Sequence, residues 1–175
     1  MNKLFNKNKS KELILYNNIV FLSRNKLFYT KFNLADTFQN RIFLIFFHIS
    51  FIFNKLYEIK KMINYKNFDQ NLFDLLFKQI EANMRELGYG DVTVNKKMKI
   101  LVKSFYNILL FCKDFDNKKK ETKATFLGQY LQSNNNKKMA NNDNLINYFN
   151  DFKTFCFDLK PDSVLEGELK YKINY

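Results

Sequence analysis

From Ile42 to Phe53 the chain is apolar at every position except His48 and Ser50. Hydrophobic all round, such a run reads as a helix that other helices must enclose, the buried centre of a bundle. Just upstream, Asp36 with Gln39 three residues on resembles a capping box, which satisfies free backbone N–H groups in both directions and marks a helix start. A helix as long as the apolar run spans about 18 Å, whereas a hydrocarbon core needs about 30 Å and some 20 apolar residues. The buried helix is therefore preferred over a segment dipping into a membrane.

One proline and four glycines in 175 residues leave few breaks in the remaining pattern. Ser10 can cap a first helix, with Glu12 in its first turn and Leu13, Tyr16 and Val20 on one face. Residues Ser23 to Asn33 hold either a break or a second short helix. Asn67 to Leu87 places Leu72, Leu76, Ile80 and Leu87 on a core side, with Glu81 and Arg85 an i,i+4 pair on the other. Val94, Met98, Leu101, Phe105, Ile108, Cys112 and Phe115 then alternate by four and three, a packing seam. A charged loop is expected over Asn117 to Lys123, a shorter helix over Thr125 to Gln132, and a mobile loop over Ser133 to Asn144. Leu145, Phe149, Phe152 and Cys156 mark a last helix, which ends before Pro161. Leu169, Tyr171, Ile173 and Tyr175 alternate with polar residues, as in an extended segment. The expected fold is all-α: a single-domain bundle of about six helices over residues 10–160. A basic disordered N-terminus (1–9) and a short extended C-terminal tail (161–175) flank it.

Two of the four glycines, Gly88 and Gly90, surround Tyr89 between two helical patterns. Gly88 suits a helix end, because glycine takes the left-handed conformation without a Cβ clash. Asp91 or Thr93 can cap the helix that follows. Lys96, Lys97 and Lys99 then fall in or near its first turn, where each cation costs about 0.3 to 1 kcal/mol at low salt. Two readings stand: solvated lysines partly neutralised by Asp91 and Glu86, or ammonium groups presented to an anionic partner.

Lys plus Arg number 29 against 17 Asp plus Glu, a formal net charge of +12. That balance fits RNA, acidic protein or lipid headgroups. It also fits the Lys-, Asn-, Ile- and Phe-rich usage of an AT-rich genome, since the charge is spread rather than blocked. Cys112 and Cys156 lie inside apolar patterns and read as buried reduced thiols, without zinc or disulfide spacing. The single His48 supplies no partner for nucleophilic or two-histidine zinc chemistry, and in that run it reads as a satisfied core histidine. No enzyme, cofactor or metal site is expected; the chain reads as a binding or scaffolding module.

Met84-Arg85-Glu86-Leu87-Gly88, then Gly90-Asp91, Val94 and Lys96-Lys97-Met98-Lys99, resembles the signature of the ubiquinol–cytochrome c chaperone family. The likeness runs back through Asn54-Lys55-Leu56, His48, Arg41, Asp36-Thr37, Phe28-Tyr29 and Ser23-Arg24. It runs forward through Phe105-Tyr106 and Leu127-Gly128-Gln129-Tyr130-Leu131. The family usually follows its tyrosine with glycine and arginine, where this chain has Asn107 and Ile108, so that arginine's role is not carried over.

The resemblance implies an assembly chaperone that holds newly made cytochrome b and promotes assembly of the ubiquinol–cytochrome c reductase complex. A small partner chaperone and the ribosome are further implied contacts, while the lysines by themselves suit anionic headgroups or ribosomal RNA; DNA is not expected. Candidate client or partner contacts are Arg41, His48, Arg85, Glu86, Lys96, Lys97, Lys99 and Tyr106, with Gly88, Gly90, Asp91 and Thr93 forming the turn. The expected location is the cytoplasmic face of a bacterial inner membrane, or the mitochondrial matrix in a eukaryote. The competing reading is a basic helical RNA- or ribosome-associated module unrelated to respiration, whose affinity falls steeply with salt.

Overall fold

The computed structural model of the chain describes residues 10–62, 65, 67–134 and 143–173. Its described helices are α1 (Lys11–Ser23), α2 (Leu27–Thr30), α3 (Phe38–Met62), α4 (Phe68–Glu86), α5 (Asp91–Lys113), α6 (Lys120–Tyr130), α7 (Asp143–Asp158) and α8 (Pro161–Leu165). Six of these exceed ten residues, as the 3.6-residue pattern requires. Among the described residues there is no strand, only an isolated antiparallel bridge between Leu34 and Ser133.

Helix α3 is the axis of the bundle. It packs most extensively against α5 and also meets α1, α4, α7 and α8. Every residue from Ile42 to Ile52 is buried. Edge-to-face ring pairs join it to its neighbours: Phe46 to Phe105 of α5 at 5.3 Å, and Phe51 to Phe115 beyond α5 at 5.4 Å. The seam of α5 is as expected, with Val94, Leu101, Phe105, Ile108 and Cys112 buried. Both cysteines are buried and unpaired.

Several local expectations need correction. Helix α3 is 25 residues long, not the length of its apolar run, because half-buried and polar residues carry it on to Met62. Its span Phe38–Lys61 is long and apolar enough to cross a bilayer, yet 78% of its most apolar window is buried inside the protein. Asp36 does not cap it. Thr37 Oγ1 accepts from the Asn40 N–H at 3.2 Å, while Asp36 is drawn away by Arg41.

The cap of α5 is the backbone of Gly90, not Asp91 or Thr93: Asp91 is already the first helical residue, and its carboxylate turns to Arg85. Leu87, assigned to the core side of α4, is exposed because it is the residue at which that helix ends. The charged stretch at 120–123 is helical rather than a loop, as the first turn of α6. Pro161 opens α8 at a position where its missing N–H is harmless. Beyond α8, Leu169, Tyr171 and Ile173 pack against the core from an extended segment. The expected disordered N-terminus at 1–9, most of the expected mobile loop (135–142) and Tyr175 lie outside the described residues.

Candidate functional site

The α4–α5 turn closes as a Schellman motif. Gly88 has φ +84°, its N–H donates to Arg85 O at 2.9 Å, and the Tyr89 N–H donates to Met84 O at 3.1 Å. Those two bonds satisfy carbonyls at the end of α4 and swing Tyr89 toward the start of α3. Gly90 has φ −71°, and a Cβ there would meet nothing within 4 Å, so only Gly88 is required by the backbone. Arg85 bridges the turn. Its Nη2 donates to Glu81 Oε1 at 2.9 Å and its Nη1 to Asp91, and these hydrogen bonds, with Asp91 foremost, raise its pKa.

Two clefts flank the N-terminal end of α3 and share Phe38 and Ile42 as a common wall. One, of about 230 Å³, lies toward α1 and the end of α4; Ile45, Ile80 and Leu87 line it, with Arg24, Arg41 and Glu86 among its polar residues. The other, of about 290 Å³, lies toward the start of α5; Phe43, Met84, Ile100 and Leu101 line it, with Tyr89 and Lys97 beside them. The Lys97 ammonium sits 5.3 Å from the Tyr89 ring centroid, a cation–π contact at the mouth. Arg41 is held by a fork of bonds to Asp36, 2.7 Å from Nε and 2.9 Å from Nη2. That pairing raises the Arg41 pKa and lowers that of Asp36. The clefts are therefore apolar in substance with a mixed-charge rim.

A buried asparagine fixes this end of α3. Asn40 Nδ2 donates to Ala35 O at 2.7 Å and to Gln132 O at 2.8 Å, while its Oδ1 accepts from the Gln132 N–H at 2.9 Å. The segment after α6 is thereby tied to the segment before α3.

Of the residues singled out from sequence, Arg41, Glu86 and Lys97 meet at the clefts, and Gly88 and Arg85 build the turn between α4 and α5. Lys96 and Lys99 point outward from α5, past its first turn rather than within it, so the expected charge–dipole conflict largely disappears. Tyr106 lies farther along α5, half-exposed against Phe73 at 5.9 Å. His48 is in the core. Its Nδ1 is 2.6 Å from Leu44 O and its Nε2 2.6 Å from Tyr148 Oη. A carbonyl only accepts, so Nδ1 carries the proton and Nε2 accepts from the tyrosine. Burial pushes its pKa down to about 4. Arg24, Phe38, Asn83 and Tyr89 also line the clefts but were not singled out as contacts, because helix ends bring them together from three separate elements.

The family model for the ubiquinol-cytochrome C chaperones matches residues 30–171. The chain belongs to the ubiquinol-cytochrome c chaperone family. Both clefts and the glycine turn fall largely inside the matched region, and membership makes the protein a chaperone for assembly of respiratory complex III. Its fold is similar to that in the crystal structure of the Cbp3 homolog from Brucella abortus, with a TM-score of 0.73 and 22% identity. That similarity covers 93% of this chain and 89% of the other. Among curated proteins, none matches this chaperone-family chain.

Proposed function

We propose that this protein holds newly synthesised cytochrome b and hands it on to assembly of the ubiquinol–cytochrome c reductase complex. The observation that carries the reading is the pair of apolar clefts around the α3 N-terminus, bounded by a turn that lies inside the family-matched region. An amphipathic or apolar helix is read by anchors at helical spacing, and two clefts sharing one wall suit neighbouring anchors. The charged groups at the rim, Arg24, Arg41, Glu86 and Lys97, suit the polar flanks of such a segment. The proposal implies work where cytochrome b is made, at the cytoplasmic face of a bacterial inner membrane or in the mitochondrial matrix.

The test is a double variant, Leu87→Glu with Lys97→Glu, made in the native cell. Both side chains are exposed, so helicity and melting are expected to stay near those of the parent. Newly translated cytochrome b should no longer co-purify with the variant, and assembled complex should fall. Tyr106→Ser, outside the clefts, should change neither. A folded double variant that keeps its full share of cytochrome b would refute the assignment.

A further inference from the structure

The outer face of α5 carries an arrangement that the clefts do not use. From Val92 to Lys113 the helix contains no carboxylate and five exposed lysines: Lys96, Lys97, Lys99, Lys103 and Lys113. None of these has a carboxylate partner among the described residues, whereas Lys11, Lys60, Lys118, Lys120, Lys153 and Lys170 each have one. On the same helix Val92, Ile100 and Leu110 are 84%, 57% and 67% exposed. At 3.6 residues per turn, Val92, Lys96, Lys99, Lys103 and Leu110 fall within a sector of about 60°, opposite the buried Val94, Leu101 and Phe105. Ile100 borders that sector, and the stripe runs about 27 Å at 1.5 Å per residue.

A lone exposed valine or leucine is ordinary on a protein surface. Apolar side chains aligned with a row of lysines are not, because the helix carries no carboxylate from Val92 to Lys113 and so nothing on it answers those charges. The pattern matches a helix lying in a lipid headgroup layer, with apolar ends reaching the acyl boundary and ammonium groups meeting phosphates. Lysine stems are long enough to lie along such a boundary while their heads stay with the phosphates. An RNA would also answer the charge, but it draws no benefit from Val92 or Leu110 and is read through stacked aromatic and arginine planes. The aromatics beside the sector are Tyr106, already packed on Phe73, and Tyr57, whose ring already carries the Lys61 and Lys113 ammonium groups. We propose that the outer face of α5 docks this protein on an anionic bilayer. Ile100 and Lys97 also line one of the client clefts, and neither plays a part in the test.

Full-length protein is floated with vesicles of phosphatidylcholine carrying phosphatidylglycerol, and with phosphatidylcholine vesicles alone. Binding is expected only to the anionic vesicles. Lys96→Gln, Lys99→Gln and Lys103→Gln together should weaken it about a hundredfold, on the order of fivefold per lysine. The three side chains are exposed, so the variant's helical spectrum should equal the parent's. The chain has no tryptophan, so Leu110→Trp supplies a single fluorescent reporter, whose emission should shift to the blue on anionic vesicles. Equal vesicle binding by the triple variant, or an unshifted tryptophan, overturns the proposal. So does absence of vesicle binding alongside lysine-dependent capture of a ribosomal RNA fragment.

Discussion

His48 makes the stability of this chain depend on pH in a way that can be assigned to one residue, because no other histidine is present. The imidazole is fully buried between Phe28, Tyr148, Phe149 and Phe152, and its two nitrogens are satisfied in the neutral form. A second proton would enter this site without a carboxylate beside it among the described residues, and burial accordingly lowers the pKa to about 4. In the unfolded chain the value returns to about 6.5. Between those values the unfolded chain holds more protons, so acid favours unfolding. The stability is fully present above about pH 6.5 and is lost as pH falls toward about 4. At about 1.4 kcal/mol per pH unit the whole effect is about 3 kcal/mol, of which about 2 kcal/mol appears between pH 7 and pH 5. Urea denaturation followed by helical circular dichroism at both pH values measures it. His48→Gln removes the titrating group while leaving an acceptor for Tyr148, so the variant should show less than about 0.5 kcal/mol of the same change. Carboxylates contribute equally to both proteins and cancel in the comparison. A variant whose stability falls with acid as steeply as the parent's would refute the reasoning, whatever its absolute stability.

The two glycines of the α4–α5 turn should separate in thermal melts. Gly88→Ala loses about 1 kcal/mol because its left-handed φ is strained for any L side chain, whereas Gly90→Ser gains a few tenths by adding a capping oxygen; equal losses at both would contradict the assigned roles. Asn40→Ala should cost about 1 to 2 kcal/mol, since it removes the buried amide that pairs with the Gln132 N–H and with two carbonyls, and should speed hydrogen exchange at the Gln132 amide; a loss below about 0.5 kcal/mol would show that the bridge matters little. Burial raises the thiol pKa of Cys112 and Cys156, so neither should react with a bulky aromatic disulfide until the protein is denatured, and rapid native modification of either would show the core open.

The bundle was legible in the sequence because its cause is local and periodic. The all-apolar run at Ile42 to Phe53 had to be enclosed, and the four-and-three spacing from Val94 to Phe115 showed a helix with a packing seam, though not that this seam would lie against the central run. Helix ends were harder to read. Three side chains suited to capping, Asp36, Asp91 and Thr93, were passed over. Two arginines one turn or more away, Arg41 and Arg85, claimed Asp36 and Asp91, and Thr37 and the Gly90 backbone took the caps. Spacing along the chain says which oxygens are near a helix start, but not which cation competes for them. The clefts were only partly legible for a related reason. Lys97, Glu86 and Arg41 stood out as charges, but the walls come from Phe38, Ile42, Met84 and Leu101, which as a sequence are indistinguishable from core. What turns core residues into a cleft is that α3 begins where α4 turns into α5, and that juxtaposition spans more than forty residues of chain.

Lys96, Lys97 and Lys99 entered as one basic cluster, and the helix divides it. Successive residues of α5 are rotated by about 100°, so Lys97 faces the cleft and Tyr89 while Lys96 and Lys99 face away with Lys103. The two proposals therefore make opposite demands on neighbouring lysines. Losing Lys97 should weaken the client and spare the vesicle; losing Lys96, Lys99 and Lys103 should do the reverse in purified components. A protein lying on a bilayer by that outer stripe would hold the cleft mouth at Lys97 to one side of the contact, within a helix diameter of about 10 Å of the headgroups. An apolar segment could then pass between cleft and membrane without crossing open water, which is the step that a chaperone for a membrane protein has to manage.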